Sequence, residues 1–443
     1  MKMPATPPKE MLSMTSVEEW TKAYSVGRQQ LAASYLHWDE LRHRTPPPGF
    51  TPEQWWAALK FVRMSQYQPV PLQDIKGHPF YFFATDEMLA TMHDIDMRAG
   101  GTVQMPEQVT NSETRDQYYV SSLMEEAITS SQLEGATTTR EIARQMLRTN
   151  RPPRDRGERM ILNNFLTMRK LAEWKYQPLT PELVFDIHRL ITEHTFDDPS
   201  AVGRFRNEIE LICVEDDSTG EILHSPPVAK ELPARMDALC AFANAKESER
   251  PFIHPVLRAI MLHFWLAYDH PFKDGNGRTA RALFYWFMLR RGYWMFQFIS
   301  ISQFLVKAPA QYARAFLHTE TDDNDLNYFI LHQIEIIRKS VDELHSYIER
   351  KSNELRQLSS ALLRVGEFNH RQEAILNRAV RHPETIFTIE SHQRSHDTAY
   401  ATARADLLRL EALGFLSKRK RGKGFVFEAA HDLGVRLKGV AKP

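Results

Sequence analysis

The stretch His270-Pro-Phe-Lys-Asp-Gly-Asn-Gly-Arg-Thr-Ala-Arg281 brings a base, a carboxylate, a glycine-rich turn and two arginines close together in the sequence. Before it, His254 to Asp269 is apolar around most of a helical circumference, which predicts a buried helix. After it, Ala282 to Arg290 is again apolar and stops at Gly292, a residue type that favours the left-handed position after a helix. The sequence therefore predicts that this stretch joins two core helices.

The glycines and arginines of this stretch suit an anion. Gly275-Asn276-Gly277 is predicted to open the second helix, where backbone N–H groups lack intrahelical partners and the helix dipole is positive. Arg278 and Arg281 lie three residues apart, on one face of the first turns, and their planar guanidinium groups match phosphate oxygens. These residues therefore predict a phosphate-binding loop.

The two remaining polar side chains add a metal ligand and a base. Asp274 offers a hard oxygen to a Mg²⁺ that bridges phosphates, and His270 stands at a helix end where it can accept a proton from an attacking hydroxyl. Together these groups indicate the transfer of a phosphorus-centred group from a nucleotide. A simple hairpin turn is the alternative, but it needs alternating strands, and both flanks have helical periodicity.

The stretch resembles the Fic-domain signature, His-x-Phe-x-Asp/Glu-Gly-Asn-Gly-Arg-x-x-Arg, at every fixed position. The resemblance implies an adenylyltransferase that moves AMP from ATP onto a Ser, Thr or Tyr hydroxyl of a protein, the chain itself included. It assigns the base to His270, the Mg²⁺ ligand to Asp274, the phosphate cradle to Gly275, Asn276 and Gly277, and the phosphate clamps to Arg278 and Arg281. Related Doc-type kinases carry Lys at the position of Gly277, which argues against plain phosphotransfer.

A second motif ends the helix that is predicted over Arg115 to Leu133, whose inner face is expected to hold Val120, Leu123, Met124, Ala127 and Ile128. In Ser130-Ser-Gln-Leu-Glu134-Gly135 the glutamate stands at the negative end of the helix dipole, so a positive group is expected beside it. The motif resembles the Fic inhibitory motif, Ser/Thr-x-x-x-Glu-Gly/Asn. That resemblance implies that Glu134 pairs with Arg281 of the same chain and obstructs the ATP γ-phosphate.

A β-hairpin is predicted before the signature, with Glu208 to Val214 as one strand and Glu221 to His224 as the other. The residues alone indicate a surface ribbon on a helical protein. The resemblance implies a flap that aligns the target segment through strand-like main-chain pairing. It also places Tyr312 near the adenine, although a tyrosine at helical spacing fits a core position equally.

The region before the inhibitory motif is predicted to be helical, over Ser16 to Thr45 and Thr51 to Gln66, where Thr51 is an N-cap and Pro52 occupies the first helical position. Trp55-Trp56 and the aromatic run His78 to Phe83 are more typical of a core than of a binding surface. No chemistry is assigned to this region.

A long helix is predicted after the signature. Its apolar stripe is formed by Ile330, Ile334, Ile337, Val341, Leu344 and Ile348 and continues at Leu355, Leu358 and Leu362. This spacing predicts packing either on the chain's own core or on another chain, as in a homodimer. The expected domains are an N-terminal helical region over 1–110, a catalytic core over 111–350, a helical linker over 351–370 and a small domain over 371–443.

The small domain is basic: it contains 14 Lys and Arg residues and 8 Asp and Glu residues, a net charge of +6. The whole chain has no net charge, because it contains 56 Lys and Arg and 56 Asp and Glu. Helices over Arg371 to Arg381, Thr388 to Gln393 and Asp397 to Leu413, then two strands around the basic turn Ser417 to Gly424, resemble a winged helix-turn-helix. A recognition helix with Tyr400, Thr402 and Arg404 and a basic wing suit DNA phosphates. A domain for protein contacts, with a solvated charge run, is the alternative.

Cys213 and Cys240 are the two cysteines, expected to be buried, inert thiols in a reducing compartment. The N-terminal residues lack the apolar stretch of a secretory signal, and no run is long enough to cross a bilayer. These features predict a cytoplasmic protein without membrane contact.

The sequence as a whole predicts a mainly α protein with a Fic-type helical core, a β-hairpin flap and a C-terminal winged helix-turn-helix-like domain. Three functions follow: an autoinhibited protein adenylyltransferase that uses ATP and Mg²⁺, a DNA-binding regulator whose Fic-like core senses nucleotides, and a de-AMPylase in which Glu134 orients water. Transfer of label from ATP to protein separates the first from the second.

Overall fold

The structure is a computed structural model and describes residues 2–9, 16–100, 112–216, 219–246, 248, 250–365, 368–381, 385–421, 424–433 and 435–436. Side chains at 112–118, 351–352, 354–356, 358–365, 381 and 421 lie outside this description. The chain divides into two compact units. The first comprises Met1–Val103 and Tyr119–Asp342, and the second comprises Gln104–Tyr118 and Glu343–Pro443.

The chain up to Val365 is mainly helical. Its elements are α1 Val17–Ala33, α2 Trp38–Leu41, α3 Pro52–Met64, β1 Gln68–Gln73, β2 Pro79–Phe82, α4 Asp86–Ala99, α5 Ser112–Leu133, α6 Arg140–Thr149, α7 Arg156–Trp174, α8 Pro181–Thr192, β3 Val214–Glu215, β4 Ile222–His224, α9 Leu232–Asn244, α10 Pro255–Asp269, α11 Asn276–Arg290, α12 Ser302–Leu305, α13 Pro309–Thr321 and α14 Asn327–Val365.

The two helices α10 and α11 form the centre of the first unit. Nearly every side chain on them is buried, including Phe264, Phe284 and Trp286, as expected for helices that are apolar all round. They pack on each other, while α7 and α8 cover α11. The prediction that residues 270–281 join two core helices is confirmed, and Gly292 adopts the positive φ of 86° expected after the second helix.

The N-terminal region differs from the prediction in two respects. A single helix over Ser16 to Thr45 is wrong, because α1 ends at Ala33 and the side chain of His37 caps the separate helix α2. The hairpin of β1 and β2 was also missed, since Pro69 and Pro71 weaken the strand pattern of β1. The aromatic residues here are core residues, as expected: Trp55, Trp56, Phe80, Phe82 and Phe83 are all buried.

The predicted strand over Glu208 to Val214 is wrong except for its last residue. Only Val214–Glu215 pairs with Ile222–His224. The Asn207 carboxamide accepts hydrogen bonds from the backbone N–H groups of Ile209 and Glu210, at 3.0 and 3.1 Å, and such a side-chain turn competes with strand pairing. Ile209 and Leu211 consequently remain 90% and 91% exposed.

Two single-residue predictions also fail. On the inner face of α5, Leu123, Met124, Ala127 and Ile128 are buried, but Val120 is 37% exposed. Cys240 is buried as expected, whereas Cys213 is only half-buried and its thiol contacts Glu215 at 3.0 Å. It stands on the short flap ribbon, where few side chains surround it.

The apolar stripe on α14 is buried within the single chain at Ile330, Ile334, Ile337, Val341, Leu344 and Ile348. The side chains of Leu355, Leu358 and Leu362 lie outside the described residues. No helix in the described part of the chain is both long and apolar enough to cross a membrane.

The described elements of the second unit after Val365 are α15 His370–Arg381, α16 Ile389–His396, α17 Tyr400–Ala412, β5 Leu416–Arg421 and β6 Gly424–Ala429. The order of three helices and a ribbon agrees with the sequence. The predicted basic turn from Ser417 is wrong, because residues 417–421 form β5 and pair with β6. The predicted break at His382-Pro383 and the residues Gly422 and Lys423 lie outside the described residues.

Candidate active site

His270 stands just after α10 in a left-handed conformation, with φ 46°, and its backbone N–H still donates to Leu266 O at 3.1 Å. Its Nδ1 lies 3.1 Å from Ala267 O, so Nδ1 carries the hydrogen and Nε2 has a free lone pair. Burial lowers the pKa of His270 to about 4, with further lowering by His224 and Arg206. The imidazole is therefore neutral near pH 7 and able to accept a proton.

The loop between α10 and α11 is held by its own residues. The Asn276 side chain accepts from Phe272 N–H at 2.9 Å and donates to Phe272 O at 2.8 Å, which closes the loop on itself. Gly275 has a φ of 81°, and a Cβ there would lie 2.7 Å from Thr192 Cγ2. The Asn276 side chain is thus used to hold the loop. Only the backbone N–H of Asn276 is left for the nucleotide contact predicted for this residue.

The first turn of α11 presents free donors. The first intrahelical acceptor is used by Thr279, whose N–H donates to Gly275 O at 2.9 Å, so the N–H groups of Asn276, Gly277 and Arg278 have no partner within the helix. Gly277 has no side chain to block approach to these groups. They form the kind of site that binds phosphate oxygens.

Arg278 lies beneath this turn and is fully buried. Its Nη1 donates to Ile191 O at 3.2 Å, and its Nη2 is 3.7 Å from the Asp274 carboxylate, beyond hydrogen-bond distance. Among the residues that the structure describes, Nε and Nη2 of Arg278 have no hydrogen-bond partner. A buried guanidinium with unpartnered N–H groups is costly unless an anion binds it.

The Asp274 carboxylate is about one-third exposed and pairs with Arg156 Nη2 at 2.9 Å. No cluster of three or more His, Cys, Asp or Glu residues within the described ranges would hold a metal ion by itself. Mg²⁺ commonly takes one carboxylate and completes its shell with phosphate and water oxygens. Asp274, next to a phosphate cradle, fits that donor set.

Arg281 is bound by Ser130 and Glu134. Its Nε donates to Ser130 Oγ at 2.8 Å, and its Nη2 donates to Ser130 O and to Glu134 Oε1, both at 2.9 Å. A Cβ added at Gly277 would collide with the Glu134 carboxylate, so Glu134 lies directly over the cradle. Gly135, with a φ of 88°, follows in the turn. The compensating positive group predicted for Glu134 is therefore Arg281.

Tyr312 lies on α13, and its hydroxyl is 2.8 Å from His263 Nε2. Its ring packs edge-to-face on Phe316 and lies tilted against Phe329. Burial raises the pKa of Tyr312 to about 12. The adenine contact of Tyr312 stays a prediction.

The flap is anchored at both ends. His224 closes β4, with Nδ1 2.7 Å from Glu320 and Nε2 2.7 Å from Tyr268 O. Both partners are acceptors, so the imidazole is doubly protonated there, and its pKa is raised because Glu320 outweighs the effect of burial. Arg206 donates to His270 O at 2.8 Å and to Pro227 O, which ties the flap to the base.

Three residues around the site were missed from the sequence: Arg156, Arg206 and His188. His188 stacks on Phe272, with ring centroids 3.8 Å apart, accepts from Gly203 N–H and donates from Nε2 to Asp274 O at 2.9 Å. Each lies far from the signature in sequence. The only local signal is the regular helix start at Thr180-Pro181, which places His188 on the inner face of α8.

Comparison with known proteins identifies the domain. Residues 178–288 match the Fic/DOC family model, and this segment contains the whole stretch 270–281. These residues form a Fic domain. A Fic family protein from Desulfovibrio desulfuricans G20 has the same fold, with a TM-score of 0.52 and 16% identity over 79% of this chain and 97% of that one.

Two curated relatives carry the name protein adenylyltransferase Fic. The one from Nematostella vectensis is 34% identical over 119 residues, which is 27% of this chain. The one from Drosophila mojavensis is 30% identical over 166 residues, or 36% of this chain. The matches span only 25% and 30% of the relatives' own lengths.

Proposed function

We propose that this chain is a protein adenylyltransferase, which transfers AMP from ATP to a Ser, Thr or Tyr hydroxyl of a protein and is inhibited by its own Glu134. The name shared by the relatives supports the reaction class. The buried guanidinium of Arg278, with two unpartnered nitrogens below the open first turn of α11, is the observation that carries the proposal. It specifies an anionic ligand at that point.

The chemistry follows from the two sides of the loop. With the nucleotide phosphates on the N–H groups of residues 276–278, the α-phosphate lies near His270 at the other end of the loop. The target hydroxyl oxygen bonds to Pα, the bond from Pα to the bridging oxygen breaks, and pyrophosphate leaves. His270 Nε2 takes the hydroxyl proton, and the neutral imidazole produced by burial is the form that can do so.

Asp274 would hold the magnesium ion, which neutralises phosphate charge when bound. In the free protein, Arg156 neutralises the same carboxylate at 2.9 Å. Arg156 is 64% exposed and can turn away into solvent. The Arg156 side chain therefore does not block a magnesium ion from the Asp274 carboxylate.

Inhibition rests on competition for Arg281. Both Glu134 and a γ-phosphate are anions that suit the same guanidinium group. With Glu134 bound at 2.9 Å and placed over Gly277, the γ-phosphate loses both a cation and its space. ATP then binds in a less productive position.

The flap gives the target segment a place to bind. The exposed apolar side chains of Ile209 and Leu211 offer contact to a target segment, and strand-like pairing there requires that the N–H groups of Ile209 and Glu210 leave the Asn207 carboxamide. Arg206 connects this segment to His270, so the bound hydroxyl is held near the base.

The test is incubation of the full chain with Mg²⁺ and ATP labelled at the α-phosphate, in a lysate and alone, followed by detection of labelled protein. Acid-stable label that requires His270 supports the proposal. Removal of AMP from a labelled protein is an alternative use of the same site, in which water oriented by Glu134 bonds to Pα and the protein hydroxyl leaves; it is tested by chasing labelled protein with an excess of unlabelled ATP. Loss of label during that chase favours the de-AMPylase.

DNA binding by the second unit is a second candidate function. On β5, Lys418, Arg419 and Lys420 are exposed, and Tyr400 at the start of α17 is 52% exposed. Lys418 stands 4.3 Å above the Phe425 ring, so the ribbon holds its charge in a fixed place. A basic ribbon beside an exposed helix start is suited to a phosphate backbone.

A further inference from the structure

The inhibitory helix α5 and the signature helix α11 run antiparallel and meet through three contacts at four-residue intervals. Glu126 accepts from the Tyr285 hydroxyl at 2.9 Å. Ser130 accepts from Arg281, and Glu134 lies against Gly277 and Arg281. We call the three pairs 126–285, 130–281 and 134–277 the ladder.

The spacing of the ladder follows from helix geometry. Residues four apart lie on one face and about 6 Å apart along the axis. The positions rise from 126 and 130 on α5 to 134 in the turn just after it, while on α11 they fall from 285 to 277, so one register brings all three pairs together. A shift of α5 by one turn would remove Glu134 from the phosphate cradle.

The first pair of the ladder is deeply buried, as is the pair 130–281, and only the third pair is partly exposed. Glu126 is 1% exposed and Tyr285 is fully buried, whereas the Glu134 side chain is 24% exposed. The Glu126 carboxylate accepts three hydrogen bonds in addition to that of Tyr285: from Ser300 Oγ at 2.9 Å, Ser302 N–H at 3.1 Å and Ser302 Oγ at 2.5 Å.

The donors around Glu126 are all neutral. In the described part of the chain no cation lies within 4 Å of its carboxylate, so Glu126 is not one half of an ion pair. A carboxylate is stable inside a protein only where hydrogen-bond donors surround it. Because these four donors occupy fixed positions, Glu126 can be accommodated at only one position. The deep end of α5 is therefore attached to α11 and to the segment 300–302.

We infer that Glu126 is the positioning residue for inhibition: its contact with Tyr285 fixes the register in which Ser130 and Glu134 reach Arg281. The inference rests on the proposed function, because it takes the Glu134–Arg281 contact as the inhibited state. Loss of the Glu126–Tyr285 bond lowers the population of that state and frees Arg281 for the γ-phosphate. A purely structural Glu126 would instead affect every state of the protein alike.

The experiment is calorimetric titration of the full chain with Mg-ATP and with Mg-ADP, in a His270→Ala background that prevents AMP transfer during the measurement. Tyr285→Phe keeps the ring in place and removes the donor to Glu126 together with the acceptor of the Ile301 N–H at 2.8 Å, and Glu126→Gln, which leaves Tyr285 unchanged, is the second variant. We expect each to tighten ATP binding by about threefold to tenfold, as for loss of one hydrogen bond to a carboxylate. ADP lacks a γ-phosphate, and its affinity should change by less than about twofold.

Glu134→Gly reports on the inhibitory contact itself and should tighten ATP binding more than either variant. In the Glu134→Gly background, Tyr285→Phe should then leave ATP affinity within about twofold, because the contact that the ladder positions is already gone. Tyr67→Phe is a matched control: its hydroxyl donates to the buried Asp325 at 2.7 Å, away from α5 and α11.

Weakened binding of both nucleotides by Tyr285→Phe and Glu126→Gln, or no more change than Tyr67→Phe produces, would overturn the inference and leave inhibition by Glu134 standing. If Glu134→Gly itself leaves ATP affinity unchanged, the inhibitory contact is absent in solution. Inhibition by Glu134 and its positioning by Glu126 are then both wrong. Because no AMP transfer is measured, a protein that transfers nothing still tests the ladder.

Discussion

Arg281 Nη2 lies 2.9 Å from Glu134 Oε1, although 147 residues separate the two in the chain. Burial acts to lower the pKa of Arg281, but Glu134 and Tyr312 raise it above its ordinary value, so the guanidinium stays charged inside the protein. An arginine held in this way is ready for an anion and is occupied by one from its own chain. In the proposed function, regulation and nucleotide binding therefore meet at one side chain.

Replacement of Glu134 by Gly should raise AMP transfer by about tenfold to a hundredfold at low ATP concentration. The reason is that a charge-assisted hydrogen bond of roughly 1.5–3 kcal/mol to Arg281 no longer has to be broken. Initial rates of label transfer from ATP, measured over a range of ATP concentrations, test this. Equal rates for the two proteins at all concentrations would mean that Ser130 to Gly135 is only a helix end.

Arg281→Ala should not reproduce that activation, because it removes both the partner of Glu134 and a phosphate clamp. The double variant Glu134→Gly/Arg281→Ala should transfer AMP at the rate of the Arg281 variant alone. Such non-additivity is what a shared partner produces. Additive effects would show that Glu134 acts through another group.

His270→Ala should reduce AMP transfer by about a hundredfold to ten-thousandfold, because the base acts in the chemical step. ATP affinity should change little, since the nucleotide is held by α11 and its arginines. Single-turnover transfer and calorimetric ATP binding measure the two quantities separately. Transfer at the unmutated rate would exclude His270 as the base.

The pH dependence of kcat/KM should reflect the lowered pKa of His270. An ordinary histidine, at 6.5, would lose its base function as the pH falls through 6.5, whereas His270, at about 4, remains neutral at that pH. The acidic limb of the profile should therefore be flat down to about pH 5 and fall with a midpoint near 4. A limb centred between pH 6 and 7 would contradict the burial of this imidazole in the working enzyme.

Arg278→Met should lower ATP affinity by about tenfold to a hundredfold without lowering the melting temperature of the nucleotide-free protein. Two nitrogens of this buried guanidinium have no partner among the described residues, and an apolar side chain of similar length removes that cost. Differential scanning calorimetry and ATP titration provide the two readings. A large loss of stability together with unchanged ATP affinity would make Arg278 a structural residue.

Lys418→Gln combined with Lys420→Gln should weaken any DNA affinity of the full chain and reduce its salt dependence, while AMP transfer stays unchanged. Each lysine that contacts a phosphate contributes to the slope of affinity against salt concentration. Fluorescence anisotropy with duplex DNA at several salt concentrations measures both. DNA binding that is unaffected by the two changes would remove the ribbon from the interface.

The sequence predicts best where one local rule decides the structure. Thr51 caps α3 as expected, and Thr180 and Thr388 cap α8 and α16 in the same way, because a hydroxyl three residues before a backbone N–H is a local arrangement. The apolar circumference of α10 and α11 predicts their burial for the same reason. The arrangement of residues 270–281 could be predicted from the sequence because all of its groups lie in one short stretch.

What the sequence did not reveal depends on distant partners. Arg156 and Asp274 are 118 residues apart, and no local sequence pattern predicts their contact. The strand expected over Glu208 to Val214 fails because the Asn207 side chain captures the backbone of the following residues, a local competition that hydrophobic periodicity does not include. In the sequence, nothing distinguishes Glu126 from an exposed glutamate on a helix, because its partner Tyr285 lies far away in the chain.

The most direct test of the account compares ATP labelled at the α-phosphate with ATP labelled at the γ-phosphate, using Glu134→Gly as the enzyme and Glu134→Gly/His270→Ala as the control. The account predicts that protein acquires more α-label with the enzyme than with the control, and the same amount of γ-label with both, because kinases of the lysate transfer the γ-label without this chain. More γ-label with the enzyme than with the control would indicate a kinase, and equal α-label for the two proteins in the presence of Mg²⁺ and a lysate would contradict AMP transfer by this site.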